Sequence, residues 1–402
     1  MEITGIELKA LRAYKTELAP NNRQRTYFRR CAGTARFVFN WALADRKLRF
    51  ERGEKTSLYS QTKRFNSIKD EQCPWVREVP YAVTESAFRN CDAAFQHFFR
   101  RVKNKEKEPG YPRFKRRGGR ESFQLKSTGV ELDRARLTSP IGWVRLKERF
   151  YIPMEATRYG TYATISERAG RWFISVLVEE DVESVDLTGE VVGVDLGINS
   201  LAVVSNGTVF ENPKALRNAE RKLARLQREL SRRRRGGANW RKTKAKLAAA
   251  HYKVACIRSH TLHQISHYLT FELYPSAIVL EDLNVSGMLK NHHLARAISD
   301  VGFYELRRQI EYKAEWNGIT VMFANRFYPS SKTCSECGSV REKLTLSERL
   351  FICPECGVVL DRDLNAAKNL AALVEPQNLR GLPGELVPLG ATVNQEVGGA
   401  EC

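Results

Sequence analysis

Acidic residues stand where apolar segments end. In "VGVDLGINSLAVVSNG", Val192 to Gly207, Asp195 follows Val192 and Val194. Glu281 closes the run "AIVLE", and "DRDLNAAKNL" places Asp361 and Asp363 just before a helix. Side chains alternate between faces along a strand, so Gly193 and Asp195 point away from Val192 and Val194, and Gly193 leaves room beside the carboxylate. An unpaired buried charge is costly, so Asp195 needs hydrogen bonds, a cation or other company. Singly, each acid has an ordinary explanation: Asp195 as a turn residue capping amides, Glu281 as a solvated strand end, Asp363 as a helix cap. Asp282 faces the opposite side from Glu281. Together they suggest a site for a hard cation. Oxygen-only ligation selects Mg²⁺ or Mn²⁺ over Zn²⁺. Two such ions about 4 Å apart activate water and stabilise the leaving oxygen of a phosphodiester. Clustered carboxylates also raise one another's pKa, which a cation relieves.

Four cysteines form a second constellation. "CSECG" at Cys334 and Cys337 and "CPECG" at Cys353 and Cys356 are two C-x-x-C knuckles with 15 residues between them, the spacing of a zinc ribbon. Each knuckle puts two thiolates on one turn, with Gly338 or Gly357 to accommodate the backbone. Four thiolates close a tetrahedron around Zn²⁺ with no open position, which makes such a site structural. The competing reading is four incidental thiols or a redox pair.

These groups sit in a basic chain of 402 residues, with 66 Lys and Arg against 46 Asp and Glu and a net charge of +20. That balance implies a polyanionic partner, most simply nucleic acid, with a membrane surface as the rival. No apolar run approaches the roughly 20 residues that span a bilayer, and no charged-then-apolar leader opens the sequence, so a cytoplasmic location is expected. Nine cysteines, an odd count, argue against a disulfide framework and for reduced thiols with a metal site.

Several elements must position these residues. "IELKALRAYKTELAP" reads as a strand, followed by a helix capped near Asn21 or Asn22, with Tyr27, Cys31, Ala35, Phe37 and Trp41 at core spacing. A second helical stripe carries Phe88, Cys91, Phe95 and Phe99 beside Arg100, Arg101 and Lys103. After "EPGYPRFKRRGGRESF", short strands from about Glu121 to Asp186 suggest a small barrel or sheet that the opening strand joins. A mostly helical region runs from about Lys214 to Glu272, broken at "SRRRRGGANWRKTKAK". Strand, helix and strand then complete a mixed α/β layer. The tail after Glu375 is rich in Gly and Pro without periodicity and reads as disordered. Arg113, Phe114 and Lys115, with Arg232, Arg233, Arg234, Arg235 and Trp240, suit a nucleic-acid channel in which Phe114 and Trp240 stack on bases. A charge run is equally a solvated face, and the aromatics equally loop anchors.

The segments "GTARFVFNWAL", "GYPRFKRR", "VGVDLGINSLAVVSNG", "LEDLNVSGMLKNHHLARAISD", "QIEYKAEWNG", "YPSSKTCSECG" and "CPECGVVLDRDLNAAKNL" together resemble the TnpB family, RNA-guided nucleases of bacterial insertion sequences with an RNase H-like RuvC fold. The resemblance covers the chain to about Val374. It departs at Phe303 and Tyr304, near which the family often has Trp, and at Gln264, where Lys is common. It implies an α/β and α+β multidomain protein: a wedge-like β-barrel (1–20 and 121–186), a helical recognition lobe (21–120), a RuvC nuclease domain (187–328 and 358–375), a zinc ribbon (329–357) and a disordered tail (376–402). It also implies that Asp195, Glu281 and Asp363 are the catalytic metal ligands, for Mg²⁺ or Mn²⁺, and that Cys334, Cys337, Cys353 and Cys356 hold Zn²⁺. The implied partners are a guide RNA and double- and single-stranded target DNA, bound by a monomeric protein in a ribonucleoprotein that reads a short target-adjacent motif. A compact type V CRISPR effector shares this core. A guided DNA-binding repressor without cleavage would lack one of the acids, and a transposase joining DNA ends is a further alternative.

Overall fold

The computed structural model describes residues 9–126, 129–137, 140–153, 162–181, 187–345, 348–374 and 386–388. They fall into two compact units, one over Lys9–Asp181 and one from Val182 onward.

In the first unit, strand β1 (Lys9–Ala19) leads into helices α1 (Asn22–Glu51), α2 (Leu58–Gln72) and α3 (Tyr81–Lys103). Strands β2 (Glu121–Leu125), β3 (Gly129–Glu131), β4 (Arg134–Arg136), β5 (Trp143–Leu146), β6 (Ala163–Arg168) and β7 (Arg171–Asp181) follow. The seven strands form one antiparallel sheet in the order β2-β6-β7-β1-β5-β4-β3. The opening strand joins it as expected, pairing with β7 from Lys9 opposite Asp181 to Leu18 opposite Trp172. Helix α1 starts at a reciprocal cap: Asn21 accepts from the Gln24 amide, and the Gln24 side chain accepts from the Asn21 amide, satisfying two otherwise orphaned donors. Cys31 and Ala35 are buried with Phe28 and Phe39, while Tyr27, Phe37 and Trp41 pack at the margin of that core. Phe88, Cys91 and Phe95 of α3 are buried too. Phe99, expected on the same stripe, is 60% exposed, in the basic last turn of α3.

The second unit is built on a sheet ordered β10-β9-β8-β11-β12-β15. Strands β8 (Val191–Leu196), β9 (Ser200–Val204) and β10 (Val209–Glu211) form an antiparallel meander. Helices α4 (Ala215–Arg232) and α5 (Ala238–His267) follow. Strand β11 (Ala277–Glu281) returns parallel to β8. After α6 (Val285–Met288), α7 (Ala295–Val301) and α8 (Phe303–Trp316), β12 (Thr320–Ala324) adds parallel to β11. A hairpin of β13 (Leu350–Ile352) and β14 (Val359–Asp361) precedes α9 (Arg362–Ala372). Strand β15 (Leu386–Pro388) pairs with β12. The tail read as disordered otherwise lies outside the described residues.

Alternation along β8 and β11 sorts the two faces of this sheet. Val192, Val194, Ile278 and Leu280 enter a core with Leu262 and Ile265 of α5 and Leu306 and Ile310 of α8. Ala277 and Val279 face the other way, onto Leu370 of α9. The α4–α5 hairpin has a small core of its own, including Leu223, Leu226, Ala250 and Val254. Its base is pinned by the buried Asp300 of α7, which accepts from the Leu216 amide (2.9 Å) and from Arg258 (2.8 Å). Among the described residues no helix is long and apolar enough to cross a membrane.

Candidate functional site

The parity of the strands decides where the acids point. Val279 pairs with Gly193 and Leu280 with Val194, so Glu281 and Asp195 come next on adjacent parallel strands, both on the face covered by α9. The space beside Gly193 does not stay open for the carboxylate. A Cβ built there would lie 2.0 Å from the Ala367 carbonyl oxygen and 2.5 Å from the Ala371 nitrogen. The glycine admits the backbone of α9, and the start of that helix delivers Asp363.

Two acids of "DRD" part company at this helix start. The Asp361 carboxylate caps α9, accepting from the amides of Asp363 (2.9 Å) and Leu364 (3.1 Å). Asp363, the residue favoured as ligand, leaves the cap to its neighbour and lies 3.4 Å from Arg362 and 4.0 Å from Arg349. Asp282 faces away from the trio as expected, paired with Arg326 at 2.5 Å and Arg307 at 3.6 Å.

The trio is electrostatically coupled. Burial pushes the Asp195 carboxyl well above the usual carboxylate range, and the charges of Glu281 and Asp363 push it further, against a smaller pull from Arg362. Burial also raises Glu281, helped by Asp363, while a hydrogen bond from Ser330 works in the opposite direction. Ser330 Oγ donates to Glu281 Oε1 at 2.8 Å, a partner that nothing in "YPSSK" marks beforehand. Three carboxylates that repel across a partly buried face suit a divalent cation with oxygen ligands.

The cysteine quartet is tighter. Its four sulfurs all lie within 4.8 Å of one another, with Cys334 and Cys356 3.6 Å apart and Cys337 and Cys353 3.5 Å apart. A tetrahedron with Zn–S near 2.3 Å requires sulfurs about 3.8 Å apart, so the donor set fits Zn²⁺. Each knuckle closes through its glycine: the Gly338 amide donates to the Cys334 carbonyl and the Gly357 amide to that of Cys353, both glycines at φ +75°. Backbone amides, that of Cys356 foremost, draw the Cys353 thiol down to about 6, and the Ser339 amide lowers Cys337. Against the pull of the Val358 amide, burial and then the neighbouring sulfurs raise Cys356 to about 12, the pattern of thiols sharing their remaining protons. Among the described residues this quartet is the group whose ligand atoms all fall within that distance; the three carboxylates are more open.

The basic candidates divide between the two units. Asn40 ties down the loop "GYPRFK" through both backbone atoms of Lys115 (2.8 and 2.9 Å). The Lys115 ammonium sits 4.1 Å from the centroid of Phe39. Arg113 and the exposed Phe114 line a hollow of about 580 Å³ with Lys47, Tyr111 and Arg116. In the second unit, Arg232 and Arg233 line another hollow, about 440 Å³, with Arg225, Arg228 and Glu229. Arg233 is engaged there by Glu229 and by the Asn239 carbonyl. Arg234 and Arg235 are exposed on the connecting turn, and Trp240 carries the Lys244 ammonium 5.3 Å from its ring centroid. Arg225 and Arg228 went unnoticed in the sequence, although they fall about two turns and one turn before Arg232 on one face of α4.

Three family models match the chain. "Helix-turn-helix domain" covers residues 10–55, which here are strand β1 and the single helix α1 with its C-terminal turn. "Probable transposase" of the IS605 OrfB type covers 173–292, and "Cas12f1-like, TNB domain" covers 303–370. A protein of Streptomyces pristinaespiralis named "Putative RNA-guided DNA endonuclease" is 36% identical over 365 residues, 90% of this chain and 89% of its own. InsQ of Escherichia coli K12, of the same description, is 33% identical over 412 residues, 97% and 98% of the two chains. In a cryo-EM structure of a Cas12f1–sgRNA–target DNA complex, the protein superposes with a TM-score of 0.53 at 11% identity, over 91% of this chain and 99% of that one. This shares the fold.

Proposed function

Because the chain belongs to the IS605 OrfB (TnpB) family, whose curated relatives carry the name of RNA-guided DNA endonucleases, we propose that it is an RNA-guided, Mg²⁺-dependent DNA endonuclease. Base pairing with a guide RNA reads the target sequence while the protein reads shape and a short target-adjacent motif. The observation that carries the catalytic part is the convergence of Glu281 and Asp363 on Asp195 at the α9 face, where burial and then the two neighbouring carboxylates raise the cost of ionising Asp195.

In this reading the unit from Val182 onward holds an RNase H-like RuvC nuclease domain. The meander β8–β9–β10, with β11 and β12 parallel to β8, supports it. The strands of the first unit form the wedge and helices α1 to α3 the recognition lobe. The quartet of Cys334, Cys337, Cys353 and Cys356 is a structural zinc ribbon, since four thiolates leave no open position.

Asp195, Glu281 and Asp363 would hold the Mg²⁺ ions. Bound there, the ions supply the positive charge that activates water and steadies the leaving oxygen of the scissile phosphodiester. Asp195 is the acid most strained by its neighbours, so cation binding relieves it most. Asp361 fixes the helix start that presents Asp363, and Ser330 orients Glu281. Arg113, Phe114, Arg225, Arg228 and Arg232 offer phosphate contacts and one stacking surface.

The test is cleavage of a plasmid in Mg²⁺ by protein carrying its own co-purified RNA, with that RNA sequenced. A discrete structured RNA and a cut that follows its variable end support the proposal. Random RNA fragments, or binding without cutting, favour a general DNA binder or a guided repressor. A guide processed from a CRISPR array would place the protein among compact type V effectors.

A further inference from the structure

Between β12 and the first knuckle, the segment Ser330–Ser335 touches three things at once. Ser330 Oγ donates to Glu281 (2.8 Å), and the Ser330 carbonyl accepts from Asn369 Nδ2 (2.7 Å). The Thr333 carbonyl accepts from Asn369 and from Asn365, each at 2.7 Å. Asn365 Oδ1 accepts in return from the Ser335 amide at 2.9 Å. Cys334, the first thiol of the quartet, lies between Thr333 and Ser335. Asn365 and Asn369 stand one turn apart on α9, the helix that begins with Asp363. Both are buried, at 0% and 4% exposure, and so is Ser330 at 5%.

Buried amides are costly to leave unpaired, so a helix surface carrying two of them is committed to one docking geometry. One short piece of chain thereby takes the Glu281 carboxylate on one side, the Asp363 helix on another and a thiolate knuckle in the middle. We propose that Ser330, Asn365 and Asn369 are positioning residues that mount Glu281 and Asp363 on the first knuckle, so that filling the thiolate quartet raises the affinity of the carboxylate trio for a divalent cation. Linkage requires the reverse effect to be equal: a cation on the trio tightens the quartet's hold on zinc. The inference rests on the assignment of Asp195, Glu281 and Asp363 as metal ligands.

Mn²⁺ is the probe, its binding to the full-length, zinc-loaded protein read by the electron paramagnetic resonance of the free ion, with zinc counted by elemental analysis. Ser330→Ala and Asn369→Ala are expected to weaken Mn²⁺ binding about 10-fold, the size of effect typical of groups that orient metal ligands, while one zinc per chain remains. Ser330→Thr, which keeps the hydroxyl, restores the affinity. Saturating Mn²⁺ slows zinc release to a chromogenic chelator in the parent but not in Ser330→Ala. Failure of the ligand assignment has its own signature: Asp195→Ala and Glu281→Ala would bind Mn²⁺ as the parent does, and the mount falls with it. If those two lose Mn²⁺ while Ser330→Ala and Asn369→Ala bind it with parental affinity, or if Mn²⁺ leaves zinc release in the parent unchanged, the mount alone is overturned. Ser330→Ala removes a single hydroxyl and carries the test if Asn369→Ala fails to fold.

Discussion

Gly193 lies under Ala367 so closely that a side-chain carbon on the glycine would come within 2.0 Å of the Ala367 carbonyl oxygen. Strand and helix meet there at backbone distance, and this contact seats the start of α9 over Asp195. Gly193→Ala should therefore lift α9, at an overpacking cost of about 1–3 kcal/mol or more, and abolish cleavage. The obstructing atom belongs to the main chain, so Ala367→Gly should not rescue it. Thermal unfolding together with hydrogen exchange of α9 measures this; normal protection of α9 in Gly193→Ala refutes it.

Asp361 and Asp363 separate by role. Asp361→Ala loses a helix cap, about 1 kcal/mol, and should lower the melting temperature while preserving most cleavage. Asp363→Ala should abolish cutting while guided DNA binding persists. Plasmid cleavage beside a binding assay decides, and a dead Asp361→Ala with an active Asp363→Ala reverses the assignment.

The raised carboxyls of Asp195 and Glu281 set a pH dependence in metal-free buffer. Both hold their protons more tightly folded than unfolded, so they cost stability only above the unfolded carboxylate pKa near 4, and increasingly so as pH rises to the folded values. Asp195→Asn should then melt higher than the parent at neutral pH, by about 2–4 °C per kcal/mol recovered. The difference should vanish below pH of about 4. Adding Mg²⁺ should stabilise the parent more than the variant. Calorimetry across pH, with and without Mg²⁺, checks all three; a variant that melts lower than the parent at neutral pH contradicts the repulsion.

Replacing Cys334 or Cys353 with Ser should release about one Zn²⁺ per chain and unfold the β13–β14 hairpin, because binding energy at such sites is folding energy, about 10–16 kcal/mol. Elemental analysis of the parent settles the premise, and a zinc-free parent rules the site out.

The α4 arginines make a quantitative prediction. Replacing Arg225, Arg228 and Arg232 together with Gln should lower RNA affinity and flatten its log–log salt dependence, by about 0.7 for each single-strand phosphate that is no longer neutralised. Affinity titrations at several salt concentrations read the slope directly, and an unchanged slope assigns this face to solvent.

Much of this was open to inspection in the sequence because it is local. Asn21 announces the start of α1, the C-x-x-C spacing announces the quartet, and two-residue alternation sets Asp195 and Glu281 on their face. What was hidden depends on distant chain. Gly193 reads as room for a carboxylate until the helix after "DRD" arrives to fill it. In "YPSSK" two adjacent serines look alike, and only the neighbouring strand end selects Ser330 for Glu281. Either acid of "DRD" is a plausible cap by spacing, and the choice follows from where β14 ends: its last residue, Asp361, occupies the N-cap of α9. Phe99 fits the apolar stripe of α3 but stands largely in solvent, because helical periodicity reports a face and not how far along it a neighbour extends.

The excursion from Glu211 to Ala277 is held at its root by Asp300 and carries its own packing toward the tip. Helix α4, 18 residues and therefore about 27 Å long, ends in a turn where Gly236 takes a left-handed conformation. Such a rod is modular in the engineer's sense. A folded cargo spliced between Gly236 and Gly237 would load the far end of a lever whose fulcrum stays fixed.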